Sequence, residues 1–170
     1  MGKVAAALAA VAAGLVGPAV GAQAALGPDA ASCRNGAANP ALLVNIDGFK
    51  ARTGRVRVQL YGSDPADFLA KGGRLKRIDV PVSSSGPMRV CVALPGAGRY
   101  AVAVRHDVDG DNAKGDWGDG GGFSRNPRIS LLKLKPNYSQ VAIQAGNNVQ
   151  PVNVVLNYRN GLAIGPVKRS

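Results

Sequence analysis

Over most of its length the chain alternates apolar and polar residues with a period of two, which confines it to strands buried on one face. Leu42, Val44 and Ile46 alternate in the first such segment. Val56, Val58 and Leu60 do so in the second, with Arg55, Arg57 and Gln59 on the opposite face. Further candidate strands are Leu75 to Val82, the sets Val90/Val92/Leu94 and Tyr100/Val102/Val104, the pair Val141/Ile143, and Val152/Val154/Leu156, making seven in all. Turn chemistry separates them at Asp47-Gly48, Thr53-Gly54, Ser83 to Pro87, Pro95 to Gly98 and Ala145 to Asn148. Pro151 stands at the start of the last strand, where a missing N–H is tolerated. Helical periodicity is nearly absent. The exception is Ser63-Asp64-Pro65, a cap ahead of a proline, continued by Ala66 to Ala70 and stopped by Gly72-Gly73. The pattern predicts an all-β fold, an antiparallel β-sandwich of about seven strands over residues 41–158, with one short helical turn over its end.

The N-terminus reads as a secretory signal. Met1-Gly2-Lys3 supplies a positive charge, an uncharged run extends from Val4 to Gly21, and Ala22-Gln23-Ala24 offers a small-x-small cleavage site, with the cut expected after Ala24. The alternative is a membrane anchor, but a spanning helix needs roughly 20 strongly apolar residues, and this run is mostly Ala and Gly, broken by Gly17-Pro18. No later segment is long and apolar enough to span. The expected organisation is therefore a signal over 1–24, a polar lead over 25–40, the sandwich, and a loosely held tail over 159–170. The expected location is the periplasm or the medium. An oxidising compartment makes a Cys33–Cys91 disulfide the natural pairing, tethering the lead to the domain. Two separate free thiols are the competing reading.

The formal net charge is +11, and every acid is Asp. The basic residues are dispersed and aromatics are few, so nucleic acid is a poor fit. An envelope component is the better one: a protein, a polysaccharide or anionic lipid head groups.

One loop has chemical character, running from His106-Asp107-Val108-Asp109-Gly110-Asp111-Asn112 to Asp116-Trp117-Gly118-Asp119. Alternating Asp107, Asp109 and Asp111, closed by Asp116 or Asp119, suit a hard, oxygen-seeking cation such as Ca²⁺. The loop opens like an EF-hand but does not close like one, because Gly118 stands where a bidentate Glu is required and Asn112 where a Gly is. The other reading is a solvated connection held by Asx-type turns and neutralised by the chain's own Arg and Lys residues. His106 shares the parity of Tyr100, Val102 and Val104, which aims it at the core as a structural histidine. Trp117 and Phe123 are either a ligand platform or a cover for the sandwich end. A contact surface on this loop would comprise His106, Trp117, Phe123 and Ser124.

Catalytic readings fail on inventory. One His and two distant Cys do not complete a zinc site. Ser124, His106 and an Asp make a triad only on paper, without a nucleophile elbow or an oxyanion hole. The crowded Asp loop does not provide the separated acids of a glycosidase, and no phosphate-cradling Gly-rich loop links a strand to a helix. No enzyme is expected.

Between Leu42 and Tyr158 the residues resemble a family of exported bacterial proteins, the domain of unknown function DUF2141. The resemblance rests on Gly54-Arg55-Val56-Arg57-Val58-Gln59-Leu60-Tyr61, on Phe68-Leu69, and on Gly98-Arg99-Tyr100-Ala101-Val102-Ala103-Val104-Arg105-His106-Asp107 with its Asp/Asn-rich loop. Gly122-Phe123-Ser124 and Val141-Ala142-Ile143 complete it. It implies an immunoglobulin-like or transthyretin-like sandwich, and it carries no catalytic residues. After Gly-Phe-Ser the chain departs from the family pattern, with Arg125 to Leu132 in place of a Gly-Pro-Pro region. Two functions are expected from these residues: a binding or accessory module of the cell envelope, or a Ca²⁺-stabilised structural sandwich within an envelope assembly. A hydrolase ranks third.

Overall fold

The computed structural model describes residues 24–112 and 117–167. Except for Ala24, the signal segment lies outside the described residues, as does Asp116 of the acidic loop. Ten strands form among the described residues. In chain order they are β1 (Ala41–Asp47), β2 (Arg55–Tyr61), β3 (Arg74–Pro81), β4 (Met88–Ala93), β5 (Gly98–Asp107), β6 (Gly120–Phe123), β7 (Ile143–Ala145), β8 (Val149–Val155), β9 (Asn157–Asn160) and β10 (Ala163–Pro166). A short helix, α1 (Tyr138–Val141), precedes β7.

Two sheets face each other. The smaller has the order β4-β1-β8, with β4 antiparallel and β8 parallel to β1. The larger runs β10-β9-β6-β5-β2-β3, and β7 pairs with the start of β5. The alternating residues meet between the sheets: Leu42, Val44 and Ile46 are fully buried against Val56, Val58, Leu60, Val90, Val102 and their neighbours. Burying each such side chain contributes about 1.5–3 kcal/mol, so period-two alternation is itself the driving force for sandwich closure.

The larger sheet also buries its second face. Successive strand residues point to opposite sides, so Ala101 and Ala103 of β5 turn away from the main core into a second cluster with Tyr61, Tyr138 and Val141. Their small side chains leave room for Phe68, whose ring makes edge contacts with Tyr61, Phe123 and Tyr138. The predicted helical turn is the 3-10 turn Pro65–Asp67, with the Asp64 carboxylate accepting the Ala66 N–H at 2.8 Å. It delivers Phe68 to this face.

The N-terminal lead seals one edge of the smaller sheet. Leu26 donates to the Arg89 carbonyl and accepts from Cys91 N–H, in a parallel bridge to β4. Two residues along β4, Ala93 N–H donates to Asp29 Oδ2, which also receives Lys76 Nζ from β3. The Cys33–Cys91 disulfide fastens the lead there.

Four strands depart from the sequence reading. The Gly-rich β6 carries no alternation to detect. Val141 belongs to α1 rather than to a strand: Gln140 accepts the Asn137 N–H at 3.0 Å and starts a helical turn, which leaves only Ile143–Ala145 extended. The end from Arg159, read as a loose tail, instead forms the β9–β10 hairpin, paired from Asn160↔Ala163 to Asn157↔Pro166. Gly161, at φ +60°, supplies the left-handed residue that its turn requires. No helix among the described residues is long and apolar enough to cross a membrane.

Candidate functional site

The acidic loop leaves the end of β5 and returns at β6. Asp107 Oδ1 accepts from Gly110 N–H at 3.0 Å and its Oδ2 from Asn112 N–H at 3.1 Å, while Asp109 Oδ1 accepts from Asp111 N–H. These are the Asx-type bonds of a tight reversal. Asp119 comes back across the loop: Oδ1 accepts from Val108 N–H at 3.1 Å, and Oδ2 receives Arg105 Nε at 2.9 Å. Oxygen atoms of Asp107, Asp109 and Asp119 lie within 4.8 Å of one another, a spread that two 2.3–2.6 Å calcium–oxygen bonds can bridge. Asp111 is not one of the three that converge. Arg105 sets one positive charge against this group through Asp119.

His106 is fully buried and acts as a latch rather than a contact residue. Its Nε2 lies 2.9 Å from the Thr53 carbonyl and its Nδ1 2.6 Å from the Tyr158 hydroxyl. A carbonyl can only accept, so Nε2 carries the proton and Nδ1 accepts from Tyr158. Tyr158 in turn receives the Lys50 backbone N–H. The pair thus ties the segment between β1 and β2 to β5 and β9, and Phe49 lies edge-on to the imidazole. Burial pulls the His106 pKa below its usual value, against the opposing pull of the Thr53 bond and of Asp119 and Asp107. Burial also pushes the Tyr158 hydroxyl up to about 12, so it keeps the proton it donates. Gly120, opposite His106 in the ladder, makes the arrangement possible, because a Cβ there would stand 2.3 Å from the Tyr158 ring.

Ser124 is equally buried. Its Oγ accepts from Val102 N–H at 3.0 Å and donates to the Val141 carbonyl at 2.6 Å, joining β5 to α1.

The remaining loop aromatics behave differently. Trp117 and Phe123 line an open groove of about 260 Å³ on the outer face of the larger sheet. Asn157 and Arg159 of β9 and Ile164 of β10 continue its floor, and Ile129, Leu131 and Leu134 form the facing wall. The Arg159 guanidinium stands 3.2 Å from the Trp117 ring centroid and holds the indole by a cation–π contact, leaving Trp117 70% exposed.

Residues 44–153 match the family described as an uncharacterized protein conserved in bacteria, DUF2141. The chain is a member of the DUF2141 family. No curated protein and no solved structure matches it.

The DUF2141 match takes in the acidic loop, His106, Phe123 and Ser124, but stops before β9 and β10. Asn157, Arg159 and Ile164 of the groove therefore lie beyond the matched span. Of the contact surface expected from the sequence, Trp117 and Phe123 come together, whereas His106 and Ser124 do not belong to any surface, because the core parity of one and the double hydrogen bonding of the other take both inside. The paper triad is likewise not assembled: His106 bonds Tyr158 and Thr53, and Ser124 bonds Val102 and Val141. Ile129, Leu131, Leu134, Arg159 and Ile164 were missed. The available signal was the apolar run Ile129 to Leu134, which fits neither strand alternation nor a polar loop.

Proposed function

We propose that this protein is a non-catalytic binding or accessory module of the bacterial cell envelope, working outside the cytoplasm. The observation that carries the reading is the open apolar groove with an exposed Trp117 at its rim, a surface of the kind that marks interaction sites. The disulfide is compatible with an extracytoplasmic setting, as is the leader read in the sequence. The chain's single histidine has both ring nitrogens engaged in the fold, and Ser124 spends its hydroxyl on backbone groups, which favours a binder over a hydrolase. The test is retention of the folded protein on an envelope fraction, compared with Trp117→Ala. The expected result is binding by the parent and about a tenfold weaker binding by the variant, the usual weight of an aromatic anchor. Equal retention of the two contradicts the reading.

A second reading keeps calcium as a structural cofactor, and the convergence of Asp107, Asp109 and Asp119 favours it. Calorimetric titration with Ca²⁺ tests it. Heat that disappears in the exposed-site variant Asp109→Ala supports the site, and no heat with the parent rejects it.

A further inference from the structure

We infer that the groove and the two chain reversals beside it form a peripheral membrane surface that takes anionic phospholipid. The inference rests on the binding-module reading above and names the ligand of the same groove. Six large apolar side chains are exposed among the described residues, and four of them, Trp117, Leu132, Leu134 and Leu162, belong to the segments that frame the groove. Leu132 is 101% exposed, between the wall residues Leu131 and Leu134. Leu162 is 89% exposed, at the turn of the hairpin whose Arg159 and Ile164 line the floor. Leucines at reversal tips cost solubility and contribute nothing to the core, whereas at a bilayer boundary their immersed CH₂ groups favour binding. Trp117 has the amphipathic ring suited to the head-group level.

Charge selects the lipid. Beyond Asp119 the sequence contains no acid, while Arg125, Arg128, Lys133, Lys135 and Arg159 all fall there. Apolar tips set among cations complement an anionic surface, which attracts nearby Lys and Arg side chains. The groove's polar groups argue against a sugar, since a sugar's hydroxyls need polar partners. Asp119 is held by Arg105 and Val108, and Asn157 donates to the Val155 and Gly121 carbonyls. What faces outward is an indole, a guanidinium and aliphatic side chains. The volume of about 260 Å³ falls below the range of roughly 300–1,000 Å³ usual for sites that enclose a small molecule, and suits shallow contact with a surface.

The test uses the disulfide-bonded protein with vesicles of phosphatidylcholine, with and without phosphatidylglycerol. Sedimentation is read together with the emission of Trp117, the chain's only tryptophan. Expected are binding to the anionic vesicles alone, weakening with salt, a blue shift of the emission, and about a tenfold loss of binding in Leu132→Asp/Leu162→Asp at unchanged melting temperature. Absence of binding to anionic vesicles overturns the inference. So does binding that the double variant retains with no emission shift, because the net charge alone would then account for it. If vesicles are ignored while Trp117→Ala still loses retention on the envelope fraction, the lipid assignment falls and the binding module stands; loss of both results removes both.

Discussion

At the scale of single residues, His106 shows how a sequence signal of chemistry turns into a structural part. Its parity with Val102 and Val104 was legible, because alternation alone decides which face a strand residue takes. Its partner was not, since Tyr158 follows the last recognisable alternation and reaches the imidazole only across the glycines of β6. The latch has a pH signature. The unfolded chain protonates this imidazole near pH 6.5, but the folded protein resists protonation to lower pH. Stability is therefore fully present above about pH 6.5 and falls as the pH drops toward the lowered folded value. Thermal unfolding from about pH 7 to about pH 5 should show the melting temperature declining, with a flatter profile in His106→Gln. Asp79 has the same sign but acts below its ordinary 3.8: burial would raise its pKa, yet the hydrogen bonds from Arg77 and Arg57 outweigh that and hold it down. It thus leaves the histidine window undisturbed. Ser124 gives a second outcome. Ser124→Ala strands the buried Val102 N–H and Val141 carbonyl, and denaturant titration should register a loss of about 2–3 kcal/mol.

Among the elements, the strands of the main core were legible and those framing the groove were not. β1, β2 and β5 each carry an alternating apolar stripe on one inner face, whereas β6 is nearly all glycine, and β9 and β10 are four residues each, with β10 at the sheet edge and Tyr158 of β9 in the main core. The lead was legible only through Cys33. Its actual work is to cover the outer edge of β4 with Leu26 and Asp29, a common protection against unwanted strand pairing. The bridge closes a long loop, with a sequence separation of 58. By the chain-entropy account Cys33→Ser should lower stability by about 4 kcal/mol, read by chemical denaturation beside the reduced parent. Faster hydrogen exchange at Cys91 and Ala93 should accompany it, because their N–H donors lose Leu26 and Asp29.

For the whole molecule, the sandwich is a scaffold with one sealed core and a second, smaller one on the outer face of its larger sheet. At Phe123 that outer layer stops being covered, and the groove begins there. Residues near 117, 129–134 and 159–164 meet only after the sheet has ordered its strands as β10-β9-β6, so no local pattern announces them. In the acidic loop, the most conspicuous motif in the sequence, the described Asp107, Asp109 and Asp119 accept hydrogen bonds from loop N–H groups and from Arg105; the proposed interaction surface lies on the least patterned stretch. Backbone hydrogen exchange of the folded protein, with and without envelope membranes, tests this division directly. Protection concentrated at residues 117–134 and 157–164 is the predicted result. Protection confined to the acidic loop around Asp107 and Asp109, or to the β3 edge, with the groove exchanging as in the free protein, would contradict it.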